Sequence, residues 1–208
     1  TEVDRRGMQI AVHAIGDAAV RTTIDGYEAA RVANGPRDSR HRIEHIEMID
    51  PADVPRLGAL GITASIQPVH APGAMDFALQ PTLDTVGRDR WKDFFLCRTL
   101  AEAGAPIAFA SDWPVTDISV LRGIGAAMTR PTYEGTKDQR IPLADVLRAY
   151  TAAGAWAAHW EDLTGTLKPG LAADVVVLSG DIEATPHEEI AAMSVALTIC
   201  GGRVTWRG

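Results

Sequence analysis

Three side chains able to bind a divalent metal recur at the same place in successive short apolar runs of this chain. His13 stands near the end of the run at 8–14 (MQIAVHA), just before a Gly-Asp turn. His45 closes the run at 40–45 (RHRIEH), and Asp112 follows the run at 106–111 (PIAFAS). In parallel α/β folds, side chains from the carboxyl ends of several strands converge on one site. Two imidazoles and a carboxylate suit zinc or another divalent first-row ion, with a position left for water. Taken singly, each residue is weak evidence. A strand-end histidine is more often packed or hydrogen-bonded than a ligand, and an aspartate before Trp-Pro is commonly a turn residue. The weight lies in the recurrence. His41 competes with His45, because alternation puts both on one strand face, with His45 nearer the mouth. Gln67 and His70 follow the run at 62–67 (ITASIQ), and Trp113 adjoins Asp112. These three are candidate substrate contacts, with a turn role for Gln67 and a packing role for Trp113 as the plain alternatives. His159 and His187 lie in loop or helical sequence, where surface roles are expected.

Between the runs lie the elements that must position these residues. Residues 18–33 carry Val20, Ile24, Tyr27 and Ala30 at helical spacing, and Asn34-Gly35-Pro36 stops them. Asp50 reads as an N-cap with Pro51 at the first helical position, opening a helix over 52–60. Residues 69–90 are rich in Gly, Pro and Asp and read as one long loop, of the kind that is usually functional or disordered. An amphipathic helix is expected over 91–103, stopped by Gly104. Strand and helix alternating at this rhythm mean parallel βαβ units. After about Gly165 the character changes. Residues 165–177 and 195–206 are strand-rich, with Gly201-Gly202 as a hairpin turn. The expected division is 1–164 for the α/β part and 165–208 for a small β layer.

The chain has 208 residues, enough for one substantial core or a core with an appendage. Its formal net charge of -7 argues against nucleic-acid or anionic-membrane partners, which reward the opposite sign. Cys97 and Cys200 are far apart and in no metal or redox spacing, so a reducing, cytoplasmic setting is expected. No apolar run reaches the roughly 18 residues of a membrane span, and no signal peptide is evident. A nucleotide-binding α/β domain is a poor reading, because neither phosphate-loop glycine motif is present.

HAIGD, RHRIEH, SIQP, ASDWPV and GTLKPGLAADVVVL occur in that order. At these spacings the chain resembles the amidohydrolase superfamily, nearest to its third family, the N-substituted formamide deformylase-like branch. The resemblance covers nearly the whole chain, and G-x-L-x-x-G-x-x-A-D-x-V-V-L is its most specific motif. It implies a metal-bearing (β/α)8 barrel of the TIM type with a small β-sandwich. His13, His45 and Asp112 would be the ligands from strands five, six and eight. Asp112 would also take the proton of the attacking water, and Gln67, His70 and Trp113 would line the substrate pocket. The implied reaction is hydrolysis of a non-peptide, amide-like C–N bond in a small molecule, with zinc or another divalent metal as cofactor.

Two departures accompany the resemblance. Ala18 follows the HAIGD motif where many relatives carry a larger basic residue. No His-x-His pair and no upstream strand bearing a lysine occur, whereas a complete barrel takes about 250 residues and eight strands. The expectation is therefore the C-terminal half of the barrel, about strands five to eight, plus part of the sandwich. Its start at Thr1, in charged mid-helix-like sequence, fits that expectation. The alternative function is a catalytically incomplete fragment with weak or no metal binding. Half a barrel would leave strand edges free, so a homo-oligomer is expected.

Overall fold

The computed structural model describes residues 1–75 and 77–208. Four strands, β1 (Ala11–Ala14), β2 (Arg42–His45), β3 (Thr63–Ile66) and β4 (Ile107–Phe109), form one sheet in the order β1-β2-β3-β4. Every pairing is parallel. Among the described residues β1 and β4 each have one neighbour, so each leaves an outer edge unpaired. The four strands fall inside the four apolar runs, and β3, flanked on both sides, is buried along its whole length.

After a short helix α1 (Glu2–Arg5), helix α2 (Asp17–Asn34) follows β1 and buries the predicted stripe of Val20, Ile24, Tyr27 and Ala30. Gly35 ends it at φ +85°, a conformation that an L side chain resists. Helix α3 (Val54–Leu60) starts later than expected. Asp50 does accept a backbone N–H, from Ala52, but within a turn at 51–53, and Asp53 takes the N-cap position with Pro55 in the first turn. Arg56 of α3 then donates to Asp25 and Glu28 of α2 and to Asp53, tying the two helices.

The sequence from 69 to 90 is not one irregular loop. A 3-10 turn (Pro68–His70) and helix α4 (Leu79–Val86) lie in it, and a second 3-10 segment (Arg88–Asp93) begins there. Asp76, also within that stretch, lies outside the described residues. The helix expected over 91–103 is split. Phe94 is extended and bridges to Met48, Phe95 has φ +51°, and only α5 (Cys97–Glu102) is helical. Pairing with a distant chain segment overrides the local helical period here.

Helices α6 (Val120–Thr129), α7 (Leu143–Tyr150) and α8 (Ala152–Ala157) complete the cover of the parallel sheet. The core joins Ile43 and Ile66 of the sheet to Leu57, Leu100, Ile124 and Val146 of the helices. Strands β5 (Val175–Leu178), β6 (Val195–Cys200) and β7 (Arg203–Arg207) form a second, antiparallel sheet. Gly201 and Gly202, both at positive φ, turn β6 into β7. A 3-10 segment (His187–Ala192) returns from that sheet to α6 and places Ile190 in the main core. No helix among the described residues is long and apolar enough to cross a membrane.

Candidate metal centre

Four chemistry-bearing side chains gather at the carboxyl ends of the parallel strands. His13 lies in β1, His45 ends β2, His70 sits in the 3-10 turn after β3, and Asp112 follows β4. The turn at Pro68–His70 is closed by the His70 N–H donating to the Gln67 carbonyl at 3.0 Å. Proline can begin such a turn because it needs no donor there.

Strand alternation alone would not bring these rings together. In the ladder His45 stands opposite Ala14, which is buried in the core with Ile43. Yet the His45 ring meets the His13 ring edge-on, with centroids 4.5 Å apart. The backbone at His45 has φ +81° and at Ile46 φ +50°. That left-handed pair turns the chain at the strand end. Asp112 makes a comparable turn beyond β4, at φ +60°. Left-handed backbone in a residue other than glycine is costly and concentrates at functional sites.

His45, His70 and Asp112 each offer one ligand atom, and these atoms all lie within 4.8 Å of one another. The His70 Nε2 atom is 3.9 Å from Asp112 Oδ2. His45 and His70 are buried, and their rings stack with centroids 5.9 Å apart. Among the described residues, His45 Nδ1 and His70 Nε2 are buried without a hydrogen-bond partner, as is Gln67 Oε1. Buried polar atoms are normally paired, and an unpaired one calls for an unseen partner such as an ion or water. Two imidazoles and a carboxylate with unpaired buried nitrogens among them form a donor set that fits a divalent metal. His13 is exposed and reaches the cluster through its ring contact with His45.

Among the candidate substrate contacts, Gln67 is buried and Trp113 is largely exposed. His70 joins the ligand cluster instead of standing apart from it. Its ring also meets Phe77, at 5.0 Å between ring centroids. Glu47 was not singled out by sequence, and its Oε1 lies 3.6 Å from His70 Nδ1. Its position two residues past His45 was the available signal. His41 is excluded from the cluster. It precedes β2, where its Nε2 meets Asp4 Oδ1 at 3.1 Å and its Nδ1 accepts the Ile10 N–H at 3.1 Å. His159 and His187 are exposed, as expected.

A parallel sheet with histidines and an aspartate at its carboxyl ends defines an α/β protein built around a divalent-metal type of site. The amidohydrolase family's sequence profile matches residues 1–206, and the chain belongs to that family. It is 38% identical over 205 residues to Protein LONG AFTER FAR-RED 3 of Arabidopsis thaliana, covering 96% of this chain and 34% of that protein. It is 25% identical over 206 residues to N-substituted formamide deformylase of Arthrobacter pascens, covering 94% of this chain and 36% of that protein. Among solved structures it is similar to an uncharacterized metal-dependent hydrolase from Pyrococcus furiosus. The TM-score is 0.64 at 27% identity, over 79% of this chain and 32% of that one. The chain thus spans about a third of the length of the curated relatives it matches. The superfamily resemblance holds, whereas the narrower deformylase resemblance rests on distant identity.

Proposed function

We propose that this chain forms the strand-five to strand-eight half of a (β/α)8 hydrolase with a metal-activated water, acting on a non-peptide, amide-like C–N bond. The carrying observation is the cluster of His45, His70 and Asp112, whose ligand atoms lie within 4.8 Å of one another. Imidazole and carboxylate together favour zinc or a neighbouring first-row ion. Such an ion, when bound, polarises a carbonyl oxygen and lowers the pKa of a water to roughly 7. His13 is the further ligand candidate, through its contact with His45.

Asp112 holds the proton-transfer role. Its side chain is partly exposed, so a carboxylate oxygen can accept the proton of an incoming water and return it to the leaving amine. His70 has two candidate roles, substrate contact and ligand, and its unpartnered Nε2 favours the second. Gln67 offers a buried, unpartnered amide oxygen to a substrate N–H. Trp113, Val115 and Ile118, all strongly exposed beyond β4, suit a substrate with a hydrophobic substituent.

A second reading is that the chain is catalytically incomplete and holds metal weakly or not at all. It is favoured by the exposure of His13. The edges of β1 and β4, unpaired among the described residues, suit a homo-oligomer, and the free thiols of Cys97 and Cys200 suit the cytoplasm. Elemental analysis of the purified chain and of His45→Ala separates the readings. About one zinc per chain, lost in the variant, supports the hydrolase site and justifies an amide-hydrolysis assay. A folded chain without metal supports the second reading.

A further inference from the structure

We propose that Glu47 is the positioning residue of this site, holding the His70 ring proton on Nδ1 so that the Nε2 lone pair faces His45 and Asp112. The inference deepens the metal-site reading and rests on it for its functional meaning.

The backbone of Glu47 is held from both sides. The preceding turn at His45 and Ile46 is left-handed, and the next residue, Met48, donates its N–H to the Ile15 carbonyl at 2.9 Å. The Glu47 carbonyl accepts the Phe95 N–H at 2.7 Å. The residue is therefore pinned between the loop after β1 and the segment before α5. Its side chain is only 20% exposed, and among the described residues His70 Nδ1 is its one ion-pair contact. A carboxylate so placed is costly unless it meets a donor, and the ring N–H of His70 is the donor at hand.

Two carboxylates compete for the His70 proton. Glu47 Oε1 is 3.6 Å from Nδ1, and Asp112 Oδ2 is 3.9 Å from Nε2. The Glu47 carboxylate is nearer and less exposed, at 20% against 35% for Asp112, so water screens it less. Both comparisons favour the proton on Nδ1. At 3.6 Å the contact is electrostatic, and a small ring rotation or one bridging water makes it a hydrogen bond. Nε2, for its part, has no hydrogen-bond partner among the described residues. A carboxylate behind a histidine, fixing which nitrogen is free, is a recurrent way of orienting a ligand.

The test is the tautomer of His70 in the metal-free chain. Long-range proton–nitrogen correlation spectra of the 15N-labelled protein read it directly at about pH 8, well above the ordinary histidine value. His70→Gln assigns the signal. The wild type should show the proton on Nδ1. Glu47→Gln, which keeps an acceptor oxygen, should retain that tautomer, and Glu47→Leu should lose it. A zinc titration should then show about 10- to 100-fold weaker binding for Glu47→Leu, with Glu47→Gln in between. A wild-type proton on Nε2, a doubly protonated ring, or an unchanged tautomer in Glu47→Leu would overturn the proposal. If the tautomers behave as expected but no chain takes up zinc, the positioning role stands and the metal reading falls.

Discussion

His45 and Asp112 leave different strands through the same unusual backbone, with φ of +81° and +60°, and their side chains arrive within ligand distance of each other. Each left-handed, non-glycine residue costs on the order of 1–3 kcal/mol, a cost that packing elsewhere must offset. The site is thus held in place by the fold against local preference.

That strain predicts a trade between stability and function at Asp112. Asp112→Gly removes the backbone cost and no core packing, since the side chain is 35% exposed. A gain of about 1 kcal/mol is expected, a Tm rise of about 2–4 °C in a chain of this size, together with loss of metal uptake. A Tm that falls in thermal unfolding would show that the freedom glycine adds to the unfolded chain outweighs the relief at the turn.

His41 predicts acid sensitivity at the opposite end of the sheet. Burial holds its pKa below the ordinary 6.5, against the pull of Asp4. Because Nδ1 accepts the Ile10 N–H, the folded ring carries its proton on Nε2, toward Asp4. The unfolded chain therefore binds a proton at a pH where the folded one does not. Stability from this residue is present above about pH 6.5 and declines as pH falls toward the folded value. Urea midpoints at pH 7.5 and 5.0 should differ more in the wild type than in His41→Gln.

The two thiols should differ in reactivity. Cys97 is buried and its thiol is pushed up to about 11 by burial, whereas Cys200 is exposed. A thiol reagent at neutral pH should titrate Cys200 at once and Cys97 only on unfolding. Cys200→Ser should remove the fast phase entirely, and a fast phase that persists would contradict the burial of Cys97.

Gly58 predicts a reversal of helix propensity. In an exposed helix interior, alanine in place of glycine gains roughly 1 kcal/mol. Here a Cβ would sit 2.7 Å from the Ala103 carbonyl oxygen and 3.0 Å from the Gly104 carbonyl carbon, both backbone atoms. Overpacking of about 1–3 kcal/mol should outweigh the gain, so Gly58→Ala should lower the urea midpoint. A raised midpoint would mean that α3 and the end of α5 separate easily.

Much of the site was legible in the order of residues. Four apolar runs of strand length, with His13, His45 and Asp112 near or just past their ends, sufficed to foresee a parallel sheet with these side chains at one rim. That information is local, because strand periodicity and turn residues act over a few positions. The helix within 69–90 and the break at Phe94 were not legible, since α4 has proline in its first turn and Phe94 pairs with Met48 across the fold. Alternation treated His41 and His45 alike. Tertiary structure separated them, giving His41 to Asp4 and turning His45 toward His13 through a left-handed backbone that no glycine announces. It also drew His70 and Glu47 into the cluster, because their meeting depends on how the turn after β3 packs beside the end of β2. Sequence by itself determined which side chains lie at the sheet's rim. Only the three-dimensional packing decided which of them face one another.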